Sequence, residues 1–471
     1  MSNASRLAIC NRLQSCIFEN HIYSYRLASF NQRRSKKYKQ KWASNLKPKT
    51  YTEQALQHFD IFYGKYYGKL WPSLRISLLS QQKSCAVVNQ YNAVAAKETE
   101  ITLEDLGAEN FIKQSNNLVD EINIYQKKTD IKDEIIENNN RFTTKDEPVI
   151  NPLQNKTVMF SDSNVPIDDK NTSLYDFVPT EKVYTDKEFL KLEVIRQSTF
   201  EDRNIPTRFI IEDVPKIPES LQVFCFSQGN INKFPSPQMS KGIKPGYFIT
   251  DAANILPVIA LNIQSEDSIL NICATQVEKV LAMLQYPHLG TIVCNKTSNS
   301  KANNLVRILE THCSQEMIDR VTVHHSDGKE FTEPRFDKVL VDVPCTVDRH
   351  SLFDEDNNIF RPGRIQERLA LPEQQKNLLV SGLKSCLPGG YVVYSTSTLS
   401  PAENDGVVQA ALEHVWKETN IDIAVVDLGY MTKLFRKTYR FFKGCKFGQL
   451  VLPNLSANFG PLYLCKLKRI K

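Results

Sequence analysis

No run of eighteen apolar residues occurs in this 471-residue sequence, so a membrane-spanning helix is not expected. None of its eleven cysteines forms a C-x-x-C pair, and their number is odd. That spacing argues against both a disulfide framework and a zinc site, and for a reducing interior. Acid is nearly missing from the first fifty residues, where Glu19 alone faces eleven Lys and Arg. Such a composition suits a mitochondrial transit peptide, and the other reading is a basic arm that touches RNA. What is present in quantity is apolar: 41% hydrophobic residues, enough for a sizeable core, with a net charge of +6.

After that arm (1–50), residues 51–96 carry helical spacing in Ala55, Leu56, Phe59, Phe62 and Tyr63, then Trp71-Pro72 and a second apolar piece with Ser73 as candidate N-cap. Core packing is the expected use of these aromatics rather than RNA stacking. Between Glu98 and Asp176, 17 acids face 8 bases, so residues 97–177 read as a disordered acidic linker with short helices. Order resumes over 178–471, where Leu221–Phe226 reads as a strand and Asp251–Leu261 as an apolar helix.

The chemistry concentrates at strand ends. Ile269, Leu270 and Ile272 make a buried strand, the turn Cys273-Ala274-Thr275-Gln276 follows, and a helix begins at Val277. Further strands are expected over Thr291–Cys294, Val321–Val323, Phe336–Val343 and Tyr391–Tyr394. Asp342 and Cys345 then lie at one carboxyl end and the polar run Ser395–Ser400 at another, which in an open α/β sheet is the ligand crevice. His324-His325 has no Cys or acid at metal spacing, and no metal is expected.

The run Asp342-Val-Pro-Cys345 with Asp348-Arg349-His350-Ser351-Leu352 after it, and Tyr394-Ser-Thr-x-x-Leu-Ser400 beyond, resembles the Nol/Nop/Sun (Fmu/RsmB-like) RNA cytosine-5 methyltransferases, in their mitochondrial ribosomal RNA branch. The segment Leu70-Trp-Pro-Ser-x-Arg-x-Ser-Leu-Leu-Ser80 and the C-terminal hairpin resemble that branch too. The resemblance implies a class I (Rossmann-like) S-adenosylmethionine-dependent methyltransferase fold with an N-terminal helical extension. It places Ser397 where relatives carry the nucleophilic cysteine, and makes Cys345 the second cysteine, which assists product release. Lys279, Asp327, Gly328 and Asp342 match cofactor-binding positions.

Two departures matter. The family's glycine loop reads Val277-Glu278 here, a β-branched residue and an acid where two glycines would approach the cofactor. Positive φ at Val277 would cost about 1–2 kcal/mol. Lys296 stands where an acid would accept the ribose hydroxyls, forfeiting hydrogen bonds of roughly 1.5–3 kcal/mol. The expectation is a mitochondrial matrix protein of ribosome biogenesis that binds mitochondrial ribosomal RNA without catalysis. S-adenosylmethionine is its cofactor by resemblance only, and an mTERF-family helical-repeat protein its partner. The alternative is a working rRNA (cytosine-5)-methyltransferase with Cys345 as nucleophile. Near the C-terminus, Lys433, Arg436, Lys437, Arg440, Lys443 and Lys446 alternate with Phe435, Tyr439, Phe441 and Phe442, which suits either phosphate contact with base stacking or a solvated edge over a core.

Overall fold

Five parallel strands form the centre of the main sheet in this computed structural model, which describes residues 49–119, 123, 205, 207–237 and 244–471. The strands are β1 (Cys85–Val88), β2 (Glu109–Asn110), β3 (Phe209–Ile210), β4 (Val223–Cys225), β5 (Tyr247–Thr250), β6 (Ile269–Ile272) and β7 (Ile292–Lys296). They continue with β8 (Val321–His325), β9 (Phe336–Asp342), β10 (Cys386–Thr396), β11 (Ile423–Val426), β12 (Arg440–Phe442), β13 (Gln449–Leu452) and β14 (Leu462–Arg469). The order β8-β7-β6-β9-β10 is parallel throughout. β14 then runs antiparallel to β10, with Val393 opposite Lys466. The far edge of β14 is shared, its first half by β13 and its second by β11. This is the class I Rossmann-like methyltransferase sheet. It carries a topological switch between β6 and β9, and ligands of open α/β sheets lie at such a point.

The central strands are apolar because helices cover both faces. One core gathers Leu256, Ile259, Val280 and Leu305 over Leu340 and Val393, and the other gathers Leu378, Leu379, Leu383 and Val408 over Val339 and Val392. β10 begins before the expected Tyr391, and Pro388-Gly389-Gly390 lies inside it as an irregularity where the register with β9 shifts. Gly389 takes φ +85°, and a Cβ at Gly390 would stand 2.6 Å from the Asp337 carbonyl. Both glycines are needed there.

Several boundaries differ from those drawn on composition. The 51–96 segment is not wholly helical, since β1 follows helices Tyr51–Tyr67 and Trp71–Leu79. The residues after 96 do not all behave as linker. Helix Ala93–Asp105 runs across that boundary and is capped by Asn92, β2 follows, and residues 111–119 are helical. Ala96 and Leu103 pack with Phe224 and Phe234, apolar surface that the acidic average conceals. The strand at 221–226 joins β1, β2 and β5 in a separate antiparallel sheet of order β2-β4-β1-β5. Ser73 is not an N-cap, because a 3-10 turn at Gly68–Leu70 feeds directly into helix Trp71–Leu79, with Pro72 preset in its first turn. Residues 1–48, 120–122 and 124–204, which include nearly all of the basic arm and most of the expected linker, lie outside the described residues.

Helix Tyr51–Tyr67 starts with a capping box between Thr50 and Glu53, and Glu355 also accepts the backbone N–H groups of Tyr51 (2.9 Å) and Thr52 (3.0 Å). Its aromatics are core, as expected: Phe59, Phe62, Tyr63 and Tyr67 are all buried. Tyr63 and Tyr67 also carry polar tips into the site described next.

Candidate active site

The turn after β6 bends at Cys273 (φ 68°) and Ala274 (φ 31°), and Val277 begins helix Val277–Met283. The expected strain at Val277 is therefore displaced by three to four residues: Val277 is helical, and two other non-glycine residues hold the left-handed backbone at about 1–2 kcal/mol each. Lys279 of that helix is fully buried and pairs with Asp342 Oδ1 at the end of β9. Ser395 Oγ at the end of β10 donates to the same oxygen at 2.9 Å and lies 3.3 Å from Lys279 Nζ. Three strand ends are thus tied by one buried ion pair, while Asp342 Oδ2 has no partner among the described residues.

At the end of β7, Lys296 turns inward and its ammonium donates to the Ala274 carbonyl. It is almost fully buried, and that burial holds it below the ordinary lysine range. Asp327 caps the 3-10 turn Gly328–Glu330 by accepting the Lys329 N–H at 3.1 Å. Gly328 is fixed sterically, since a Cβ there would meet Ile272 and Leu378 at 2.8 Å. These groups border a cavity of about 850 Å3 lined by Cys273, Val277, Lys296, Lys301, Asp327 and Leu378 among others.

Cys345 and Ser397 meet beside it. The Ser397 N–H donates to Cys345 Sγ at 3.3 Å, so the structure brings the two candidate catalytic residues into direct contact. Burial, then the Glu403 charge, pushes the Cys345 thiol far above its usual range. A thiol held that way stays protonated at neutral pH and is a poor nucleophile. Ser397 Oγ makes no hydrogen bond among the described residues, so no base is positioned on it. Ser397 faces a second cavity of about 360 Å3, shared with Gln82, Asp251, Glu278 and Arg349. Glu278 therefore borders the cavity of Ser397 and is not among the residues lining the larger one.

The supporting shell was not singled out from sequence. Asp348 is fully buried and accepts the Leu399 N–H (2.7 Å), Thr398 Oγ1 (2.8 Å) and the Tyr63 hydroxyl (3.1 Å). Burial lifts its carboxyl to about 7. Glu403 accepts the Thr346 N–H (3.0 Å) and Gln375 Nε2 (2.9 Å), and burial raises it as well. Tyr67 donates to the Leu399 carbonyl at 2.6 Å. Asp348 sits within the quoted motif and could have been found there. Nothing in the sequence marks Glu403 or the tyrosines, which read as ordinary polar and core positions.

Arg349 borders the same cavity as Ser397 but spends its guanidinium on backbone carbonyls. Its guanidinium donates to the carbonyls of Ser77, Leu78, Ser80 and Gly460 and to Asn458 Oδ1, closing the C-terminal end of helix Trp71–Leu79. Of the interleaved aromatics near the C-terminus, Phe435 and Tyr439 are buried in the core, so they are closed to base stacking. Lys437 and Lys443 are exposed and Arg440 is half-buried, an arrangement open both to a solvated edge over the core and to phosphate contact. His350 is half-exposed, with Nε2 3.3 Å from Asp354 Oδ2. No metal-holding group of three or more His, Cys, Asp or Glu occurs among the described residues.

Residues 258–443 match the family described as 16S rRNA methyltransferase RsmB/F. The chain is 34% identical over 442 residues to 5-cytosine rRNA methyltransferase NSUN4 of Mus musculus, covering 92% of this chain and 93% of that protein. It is 34% identical over 453 residues to 5-cytosine rRNA methyltransferase nsun-4 of Caenorhabditis elegans, covering 92% and 96%. A shorter match, 34% over 260 residues, joins it to the mitochondrial tRNA (cytosine(34)-C(5))-methyltransferase of Mus musculus, covering 54% and 72%.

Proposed function

Because the chain belongs to the Nol/Nop/Sun (RsmB/F-like) family of rRNA cytosine-5 methyltransferases, we propose that it serves mitochondrial ribosome biogenesis by binding ribosomal RNA and no longer transfers methyl groups. The observation that carries this reading is Lys296, whose buried ammonium occupies the carboxyl end of β7 and bonds the Ala274 carbonyl. The family depends on S-adenosylmethionine, a cationic sulfonium whose ribose hydroxyls need acceptors. Lysine has three donors and no acceptor. The residues here do not fit that cofactor, although Asp327, Gly328, Lys279 and Asp342 remain in place. Ser397 adds to the case, being a hydroxyl without a base where the family carries a thiol.

Mitochondrial ribosomal RNA is the proposed ligand, the matrix the proposed address, and an mTERF-type helical-repeat protein the proposed partner. The basic, acid-poor residues 1–50 and the mitochondrial tRNA methyltransferase among the relatives support this address. One observation favours the competing reading of an active enzyme. The Ser397 N–H on Cys345 Sγ would stabilise a thiolate there.

Depletion followed by rescue separates the two readings. Rescue with Cys345→Ala plus Ser397→Ala should restore mitochondrial ribosome assembly, with bisulfite sequencing of ribosomal RNA unchanged between rescue and wild type. Loss of a 5-methylcytidine that wild type restores and the double variant does not would overturn the proposal and make Cys345 the nucleophile.

A further inference from the structure

The 850 Å3 cavity carries an excess of positive charge. Lys296, Lys301 and Lys329 line it, against Asp327 as its one carboxylate among the described residues, and since Lys329 Nζ lies 3.5 Å from Asp327 Oδ2 the excess rests on Lys296 and Lys301. Lys296 spends one hydrogen on the Ala274 carbonyl, which leaves two of its three donors. Lys301 is exposed and makes no hydrogen bond or ion pair among the described residues. It stands in the first turn of helix Asn299–His312, fourteen residues long, whose N-cap Ser298 contributes no side-chain bond. Thr297, Ser300 and Lys301 at that helix start all border the cavity, so uncapped backbone N–H groups and lysines converge on one place. Farther in, Val277 and Leu378 offer apolar surface beside Asp327.

We propose that this cavity binds a purine nucleotide through a phosphate on its ribose. The phosphate lies on Lys296, Lys301 and the helix start, the base lies against Val277 and Leu378, and an exocyclic amino group donates to Asp327. In doubly wound sheets a cation near the ribose site is what admits a ribose phosphate in place of a hydroxyl. Burial and repulsion from Lys301 both press on the Lys296 ammonium, and a bound phosphate relieves both. The same nucleotide chemistry could reach the cavity free or as part of an RNA chain. This inference goes beyond the proposed function, because a protein acting through its RNA-binding surface does not require it.

Calorimetric titration of the full chain decides it, with adenosine 3′-monophosphate, adenosine, S-adenosylmethionine and the dinucleotide ApA as probes. The monophosphate should bind about tenfold or more tightly than adenosine, since charge-assisted hydrogen bonds separate the two. Lys301→Ala, at an exposed position away from Asp327, should erase much of that difference and leave adenosine unchanged. Tighter binding of ApA than of the monophosphate supports the proposal with RNA as the source, and the reverse order supports it with a free nucleotide. Equal binding of adenosine and its monophosphate overturns the proposal, as does an unaffected Lys301→Ala variant. If those failures come with RNA association intact, the proposed function stands. S-adenosylmethionine binding more tightly than every phosphate probe sinks both.

Discussion

The backbone N–H of Ser397 donates to the sulfur of Cys345 at 3.3 Å, so the loop after β9 and the end of β10 are joined at the point where the family does its chemistry. A sulfur buried in that contact and facing the Glu403 charge holds its proton. Supplying a second thiol does not change this. Ser397→Cys alone should leave methyl transfer to ribosomal RNA fragments undetectable, because the cofactor crevice still contains Lys296.

Lys296→Asp addresses the crevice itself. It removes the ammonium and supplies two acceptor oxygens, so S-adenosylmethionine affinity should rise by about tenfold or more. Calorimetry on the variant checks it. An unchanged titration would mean that the bend at Cys273 and Ala274, not the lysine, excludes the cofactor.

Asp348 gives a pH signature. Its folded carboxyl titrates at about 7, above an unfolded value of about 3.9, so the native state holds the extra proton between those values. Stability from this group is therefore full below about pH 4 and is lost as pH rises toward 7. Relative to wild type, the melting temperature of Asp348→Asn should climb across that window and level off above it. A difference that stays flat from pH 4 to 7 would refute the assignment.

Arg349→Met should cost about 3 kcal/mol, since it strands the carbonyls of Leu78 and Gly460 and leaves those of Ser77 and Ser80 to Asn458. Urea denaturation should show a lower midpoint with an unchanged slope. Arg349→Lys should recover only part, having three donors rather than five.

Charge reversal at Lys437, Arg440 and Lys443 should weaken association with ribosomal RNA. It should also flatten the salt dependence by roughly one unit per phosphate contact removed. Filter binding across a salt series measures both. Substitution of the buried Phe435 or Tyr439 should instead lower stability, because those rings pack in the core.

Sequence made the main sheet legible because its strands are short apolar runs that end in chemistry-bearing residues. β6, β7, β9 and β10 all fall where periodicity puts them. The small sheet was hidden because β1 pairs with β4 and β5, each more than a hundred residues away, and no local pattern encodes a partner. Helix Ala93–Asp105 was concealed by averaging over an acidic stretch, although Ala96 and Leu103 already mark its buried face. At the site, the family resemblance singled out Cys345, Ser397, Lys279 and Asp342, and the structure brings Cys345 against Ser397 and Lys279 against Asp342. The inward turn of Lys296 and the place of Glu278 on the cavity of Ser397 were not legible in the sequence, because they depend on how the loop at Cys273–Ala274 bends.

Arg349 also imposes an order of events on synthesis. The helix it closes, Trp71–Leu79, is made long before Asn458 and Gly460, which share that guanidinium. The end of that helix is therefore completed only when Asn458 and Gly460 pack on it. A chain cut short before Asn458 lacks the hairpin strand that completes β10 and also leaves its own beginning unfinished. A product stopped anywhere between that helix and Asn458 would therefore present two unfinished regions to quality control.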